Sequence, residues 1–537
     1  MKLFRIRGGV HPEPRKEGTA DKPVEALPLP DVLHLPLQQH IGAPAAPLVE
    51  RGDRVLKGQL VAEAQGAFSA NIHAPTSGEV VGVGQHTALH PSGLTMRSIT
   101  IRPDGKDEWG ELPAPIEDPF DGNVEAIADR VAWAGIVGMG GAAFPSAIKL
   151  GLRERHDLHT LVINGAECEP YLTADDRLMR ERADKVIDGI RMMRHALSVD
   201  RAIVAIETNK PEALKAMKGA AKAFDDVTVV GVPTRYPMGS EKHLVQTLTG
   251  KETPAGKLTA DVGVVVHNAA TAFAVHQSVR EGIPLIERIV TVSGGAMRTP
   301  RNLRVPLGTR IAELLDFCDG FAEEPSRLVA GGPMMGQPLP DTEAPVIKGT
   351  NGILALTFEE TGQKTPMPCI RCGSCVSACP CGLVPLDMAA RIRKEDMDGA
   401  QKIGLMDCLS CGSCAHVCPA HIPLVQYFNY AKGRLKKRGQ DQQKNEVTKR
   451  LMEQRAERLE RQAQKKKEML AKRKAAAQAK KEKEAKEKAA AEGGAAPEGE
   501  AEPKKAPAAE TSSAEAKTAE SKSAGQASEQ QESGDGT

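Results

Sequence analysis

The apolar positions between Leu33 and about Arg102 come in short runs (LPLQ, LVAEA, EVVGVG, SITI), broken by turns at Arg51-Gly52-Asp53, Lys57-Gly58 and Thr76-Ser77-Gly78. Runs this short and this punctuated predict β-strands. From about Asn123 to Pro284 the rhythm changes. LVIN (161–164), AIVAIE (202–207), VTVVGV (227–232) and VGVVVHN (262–268) are β-branched-rich, and helix-like segments such as ADKVIDGIRMMRHAL and PEALKAMKGAAKAF lie between them. That alternation predicts a parallel α/β sheet. Residues 288–350 read as a small module, with RIVTVSGGAM, a turn at Pro306-Leu307-Gly308, IAELLDF as a helix, and RLVAGGPMMG. Beyond Tyr430 the apolar stripe stops. A Lys/Arg/Glu/Gln/Ala stretch to about Ala491 predicts an exposed helix laced with i,i+4 charge pairs. The Ala/Glu/Ser/Pro/Gly segment after it is too poor in apolar surface to fold.

The pattern therefore predicts a multidomain α/β chain. VERGDRVLKGQLVAEA followed by IHAPTSGEVVGV resembles the barrel-sandwich of lipoyl and biotinyl carrier domains. Carriers present a modified lysine at a hairpin tip, whereas Ala67-Phe68-Ser69-Ala70-Asn71 has none, so a structural or docking role is expected. The divisions expected are a barrel-sandwich domain (1–120), a parallel α/β domain (121–287), a β-grasp-like module (288–350), a cysteine-rich domain (351–430), a charged helical extension (431–491) and a disordered tail (492–537).

Composition narrows the possibilities. A chain of 537 residues exceeds one core. Its net charge of +1 argues against steering toward nucleic acid. With 3% aromatic residues, any aromatic-built site is sparse. No apolar stretch has signal-peptide or membrane-span length, so any membrane contact is expected to be peripheral. Of 11 cysteines, eight fall in CIRCGSCVSACP (from Cys369) and CLSCGSCAHVCP (from Cys408). Such concentration in a large chain points to metal ligation in a reducing cytoplasm.

Each run reads C-x2-C-x2-C-x3-C-P. Three thiolates at two-residue gaps wrap three corners of a cubane, and the fourth ligates the other cluster, as in two-cluster ferredoxins. Cys369, Cys372, Cys375 and Cys418 would hold one [4Fe–4S] cluster, and Cys408, Cys411, Cys414 and Cys379 the second. Zinc is the alternative for paired C-x2-C units, but two full runs with trailing Pro380 and Pro419 are far more specific. The spacer VPLDMAARIRKEDMDGAQKIG reads helical. Cys381 is expected to be an unligated thiol, and Cys168 and Cys318 buried small hydrophobes.

Gly138-Met139-Gly140-Gly141-Ala142-Ala143 fits G-x-G-x-x-A, a loop suited to close backbone approach to a phosphate or ring. Lys149 follows it. Glu167 and Glu169 sit where a strand exits, a place where α/β sheets bind ligands, and Glu241 follows Tyr236-Pro237-Met238-Gly239-Ser240.

GMGGAAFPSAIK (138–149), NGAECEP (164–170) with DDR (175–177), YPMGSEKHLVQTLTG (236–250) and HNAAT (267–271) come in the order of motifs in the NADH-oxidising flavoprotein subunit of respiratory complex I. GGVHPEPRK at the N-terminus, ETNKPEA (207–213), GGPMMG (331–336) and the twin cysteine runs resemble, more closely, the RnfC subunit of the Rnf/Rsx ion-translocating electron transport complex. This resemblance covers roughly residues 1–430. It implies that the α/β domain binds FMN and NADH, that the small module is of the SLBB type, and that the cysteine-rich domain is a two-cluster ferredoxin. By position, Gly138, Gly140, Gly141 and Lys149 would cradle FMN, with Asn164, Tyr236, Gly239, Asn268 and Thr271 completing the site. Glu167, Glu169 and Glu241 would flank flavin and nicotinamide, and Phe144 would contact the dinucleotide. Ala143, Ala166, Ser240 and Lys242 depart from the complex I pattern. The Phe-rich loop that helps clamp NADH there is replaced here by the short ETPAGKLTAD.

The function implied is a peripheral subunit on the cytoplasmic face of the bacterial inner membrane. It would pass electrons between NAD(H), FMN and two [4Fe–4S] clusters, in ferredoxin/NAD redox coupled to ion movement by partner subunits. Those partners would be the membrane subunits of an Rnf/Rsx-type complex and its ferredoxin-like subunit. Two alternatives stay open: a cobalamin-reducing enzyme of the propanediol-utilisation type, and a non-catalytic iron–sulfur relay scaffold.

Overall fold

The computed structural model describes residues 2–66, 68–141, 143–362 and 364–491. Ala67 of the hairpin tip, Ala142 of the glycine loop and the tail 492–537 lie outside the described residues. The chain divides into two units, one up to Gln442 and one from Gln443.

In the first unit, β1 (Val24–Ala26) precedes a sandwich of short strands: β2 (Leu33–Pro36), β3 (Ala46–Pro47), β4 (Arg54–Val55), β5 (Leu60–Glu63), β6 (Ile72–His73), β7 (Gly78–Thr87) and β8 (Thr95–Pro103). One sheet has the order β2-β8-β7-β4 and the other β3-β5-β6, with every pairing antiparallel. The residues facing inward are apolar and fully buried, among them Leu33, Leu35, Val61, Ile72, Ile99 and Ile101. The connection from β5 to β6 carries the hairpin tip that lacks a lysine.

The α/β domain follows, with α1 (Val124–Trp133), α2 (Ser146–Leu150), β9 (Thr160–Gly165), α3 (Ala174–Glu181), α4 (Ala183–Leu197), β10 (Arg201–Glu207), α5 (Pro211–Ala221), β11 (Val227–Val232), α6 (Glu241–Thr249), β12 (Val264–Asn268) and α7 (Ala269–Glu281). Its strands are all parallel, in the order β11-β10-β9-β12. β9, β10 and β12 are buried on both faces, which is why they read as continuous apolar runs rather than alternating ones. The chain leaves β9 toward β10 and β11, then returns to place β12 on the other side of β9. The crevice at the C-terminal ends of β9 and β12 is thus the switch point of the sheet, where open α/β sheets bind ligands.

A six-stranded sheet comes next: β13 (Glu287–Ser293), β14 (Arg301–Pro306), β15 (Arg327–Ala330), β16 (Gln337–Pro338) and β17 (Gly352–Leu356), with α8 (Ile311–Phe317) packed on it. Its order is β1-β14-β13-β17-β15-β16. It recruits strands from both sides of the 288–350 module. β1 pairs in parallel with β14, and β17 pairs in parallel with β13. Residues 2–26 pair with later parts of the chain rather than with the strands β2 to β8 of the sandwich. They run as a strap over the α/β domain: the Phe4 N–H donates to Thr247 O (2.9 Å), the Gly9 N–H to Ala378 O (2.9 Å), and the Tyr171 N–H to Pro14 O (2.8 Å). No short-range pattern marks such a strap, because its partners lie hundreds of residues away.

The unit closes with α9 (Phe358–Thr361), α10 (Ser374–Ala378), α11 (Pro385–Arg393), α12 (Met397–Lys402), α13 (Ser413–His416) and the start of α14 (Leu424–Ala491). The predicted helical spacer is α11 and α12, packed with Phe428 and Leu424 in a small core of their own. In the second unit the described residues are helix, exposed at every position. No described helix is long and apolar enough to cross a membrane.

Candidate functional site

Asn164 and Asn268 lie at the C-terminal ends of the two strands that flank the switch point, Asn164 one residue before the last of β9, and are register partners. Asn268 also begins α7, where its side chain accepts from the Ala270 N–H (2.8 Å) as the N-cap. The glycine loop lies against this helix start. The Met139 N–H donates to Thr271 Oγ1 (3.0 Å), and a Cβ on Gly140 would approach Asn268 Cβ to 3.3 Å. Gly141 has φ +112°, in the region that favours glycine, with open space where a side chain would stand. The loop is pinned from below by Arg288, which is buried and donates to Met139 O (3.3 Å) and Thr350 O (3.1 Å). Burial pushes its guanidinium down to about 10.

The other rim is built by α2 and α6. Lys149 Nζ donates to Val266 O (3.0 Å) and pairs with Glu241 (3.1 Å), whose other oxygen accepts from Thr259 Oγ1 (2.6 Å). Asn164 donates to Gly239 O (2.8 Å). The Gly239 N–H donates to Cys168 Sγ (3.2 Å), a thiol that burial raises to about 12 and so keeps protonated. An open glycine turn, a helix N-terminus, a lysine and paired asparagines form a cradle with donors for a flat ligand bearing an anionic group. That chemistry fits FMN.

The two carboxylates of the 164–172 loop have defined partners. Glu167 accepts from the N–H groups of Asp175 (2.7 Å) and Asp176 (3.2 Å), capping α3, and Asp175 in turn accepts from Asn268 Nδ2 (2.5 Å). Glu169 accepts from the Met334 N–H (3.0 Å) in the GGPMMG loop. Burial raises both glutamates to about 7, and raises Asp175 as well. Two lysines hold this loop from behind. Lys16 Nζ donates to the carbonyls of Glu167 (3.0 Å), Glu169 (3.0 Å) and Leu172. Lys210 Nζ, 1% exposed, donates to Ala166 O (2.7 Å) and pairs with buried Glu207 (3.3 Å). Sequence reasoning covers the segments containing these lysines without assigning them a role. Only the fold brings the carbonyls to them.

The cysteines gather into two cavities. One, of about 80 Å³, is lined by Cys369, Cys372, Cys375 and Cys418. The other, of about 20 Å³, is lined by Cys379, Cys408, Cys411 and Cys414, with Cys381 beside them. Each cavity thus mixes three cysteines of one run with the fourth of the other. Cys381 shares a hydrogen bond with Cys379. The two sets differ in depth, since Cys369 and Cys372 are exposed while Cys379, Cys411 and Cys414 are buried. The buried set abuts the α/β domain. Tyr236 Oη donates to Cys411 O (2.6 Å), and His243 Nε2 bonds to Pro380 O (3.0 Å). Gly8 is also pressed on the Cys379 carbonyl so closely that a Cβ would overlap it.

Four family models match along the chain in the order of these parts: the RnfC barrel sandwich hybrid domain (residues 4–106), the Nuo51 FMN-binding domain (131–277), the SLBB domain (289–338) and the 4Fe-4S dicluster domain (368–422). The molecule is therefore an electron-transport flavo-iron–sulfur protein, with FMN and [4Fe–4S] clusters as its cofactors. It is 60% identical over 439 residues to the RnfC subunit of the ion-translocating oxidoreductase complex of Rhodobacter capsulatus, covering 82% of this chain and 84% of that one. It is 47% identical to the corresponding subunit of the proton-translocating ferredoxin:NAD(+) oxidoreductase complex of Clostridium ljungdahlii, covering 80% and 94%. The chain belongs to this family, the RnfC subunits of Rnf ion-translocating oxidoreductase complexes. Among solved structures, an NAD+-reducing [NiFe]-hydrogenase matches 60% of this chain and 63% of that one at 18% identity, with a TM-score of 0.41.

Proposed function

We propose that the chain passes electrons between NAD(H) and a partner subunit by way of FMN and two [4Fe–4S] clusters, on the cytoplasmic face of the cell membrane. Ion movement falls to the membrane subunits, and a ferredoxin-like subunit is a further partner. FMN, when bound, supplies the conversion between a two-electron hydride and the single electrons that iron–sulfur clusters carry.

The residues of this chain bind, orient and insulate. Gly138, Gly140, Gly141, Asn164, Gly239, Asn268 and Thr271 form the cradle, Lys149 supplies positive charge, Phe144 follows the glycine loop, and buried Tyr236 joins the 236–240 turn to the inner cysteine set. Glu241 keeps Lys149 in place. Glu167 and Glu169 fix the 164–172 loop through backbone N–H groups and would hold it beside the flavin. Cys369, Cys372, Cys375 and Cys418 would ligate the outer cluster, and Cys408, Cys411, Cys414 and Cys379 the inner one.

The observation that carries this reading is the graded depth of the cysteine sets. The buried set meets the α/β domain where Tyr236 bonds to the Cys411 carbonyl and His243 to the Pro380 carbonyl, and the other set presents Cys369 and Cys372 to solvent. A relay with one end against a flavin site and the other open suits an electron exit to a partner. The test is to load the purified protein with iron and FMN and add NADH. Bleaching of flavin and then cluster absorbance is expected. Lys149→Ala combined with Glu241→Ala should lower both flavin content and NADH oxidation. If both survive in that double variant, the site assignment is wrong.

A further inference from the structure

We infer that the barrel-sandwich domain completes the dinucleotide site, with Phe68 of its hairpin tip and Phe144 of the glycine loop forming an aromatic corner for the purine ring. This rests on the pyridine-dinucleotide reading above. It adds a binding residue from a domain that such a reading leaves outside the site.

The two rings meet edge to face, with centroids 5.9 Å apart and planes at 61°. An edge-to-face pair leaves no slot between its rings. It does present one free ring face flanked by a ring edge, which a third flat ring can stack upon. Phe68 is 52% exposed and neighbouring Ile41 57% exposed, so both hold apolar surface open to water at the mouth of the cradle. In a chain with 10 Phe, 4 Tyr and 2 Trp, an aromatic pair at that mouth is a scarce resource.

The tip is not free to swing as a carrier arm would be. The Ile41 N–H donates to Ala143 O (3.2 Å), and the Ala43 N–H to Phe68 O (2.8 Å). The Ala70 N–H donates to His40 Nε2 (2.9 Å), and Asn71 Nδ2 to Trp133 O (3.1 Å). Lys348, fully buried, donates to the Asn71 and Gly135 carbonyls. Gly42, at φ +129°, passes so close to the Phe68 carbonyl that no side chain fits. The tip that lacks a carrier lysine is instead tied to the glycine loop, and it offers a phenyl ring where ETPAGKLTAD offers none. By that same reading the reacting ring would lie toward Asn164 and Asn268, of which Asn268 is buried. The half-exposed rim therefore takes the non-reacting end, the purine.

The test uses the full chain loaded with iron and FMN. Phe68→Ala is compared with Phe68→Tyr by NADH kinetics, and by calorimetry with ADP-ribose, which carries the purine but no nicotinamide. Phe68→Ala is expected to raise KM for NADH and the Kd for ADP-ribose about tenfold, the scale of one lost base–aromatic stack. The change in kcat should be far smaller and FMN content unaltered, and Phe68→Tyr should restore both constants. The inference fails if Phe68→Ala leaves both constants unchanged while Phe144→Ala raises them. It also fails if only NADH binding weakens, since the ring would then be the nicotinamide. If the unaltered protein binds neither NADH nor ADP-ribose, the dinucleotide reading itself falls.

Discussion

Single residues here divide into those a linear motif announces and those only the fold explains. Lys348 belongs to the second kind. It is fully buried among the carbonyls of Asn71 and Gly135, and burial pushes its ammonium from 10.5 down to about 7. The unfolded chain then binds more protons than the folded one between those values, so this group makes stability rise with pH from about 7 to about 10. Urea unfolding at pH 7 and pH 9.5 should show a rise in the native protein that Lys348→Met lacks. The difference is up to about 3 kcal/mol, at 1.36 kcal/mol per pH unit. Lys16→Met removes one ammonium from three carbonyls, and should lower stability by about 2–3 kcal/mol, read by the same method. The glycine loop and cysteines were legible because their spacing is their chemistry. Lys16, Lys210, Arg288 and Lys348 were not, because a lysine or arginine serving distant carbonyls leaves no local pattern.

Among elements, the cysteine runs behave as interlocked halves. If Cys379 belongs with Cys408, Cys411 and Cys414, Cys379→Ser should remove the inner cluster and spare the outer, with iron falling by about half. Cys418→Ser should do the reverse. Electron paramagnetic resonance separates the outcomes, and loss of the cluster from the mutated cysteine's own run would refute the exchange. Helix α14 makes a second contrast. Its buried residues are Leu424, Phe428 and Ala431, and Phe428 lines the inner cavity. Phe428→Ala should cost about 3–5 kcal/mol by leaving a hole in that core, whereas ending the chain after Gln442 should leave the melting of the rest unchanged. The long strands and helices of the α/β domain were readable from period alone. β1, three residues long, and β17, past the expected boundary, were not. β1, at the sheet's edge, is defined by the neighbour it finds rather than by its own residues, whereas β17 is an interior strand between β13 and β15.

For the molecule as a whole, the asymmetry of the two cysteine sets imposes an order. The outer set presents Cys369 and Cys372 to solvent beside Ile370, itself 70% exposed, while the inner set is enclosed by the α/β domain and the strap. A water-soluble oxidant or chelator should therefore destroy the outer cluster first, leaving a four-iron species whose signal is that of the inner site. Simultaneous loss would contradict the difference in depth. The domain series itself was largely visible in sequence, because each part has its own hydropathic rhythm. The contacts between parts were not, since they are made by backbone groups and by isolated side chains such as Lys348, Tyr236 and His243.

The parallel pairing of Val24–Ala26 with Asn302–Arg304 has a consequence for synthesis. The ribosome makes the strand's partner about 280 residues later, roughly 15–55 s at bacterial elongation rates. The cysteine loop that Gly8 and Gly9 cover emerges later still. Throughout that interval the leading segment must wait in water, and its polar sequence HPEPRKEGTADKP suits it to waiting. Iron–sulfur insertion into the inner site is thus expected before residues 8 and 9 dock over the Cys379 loop.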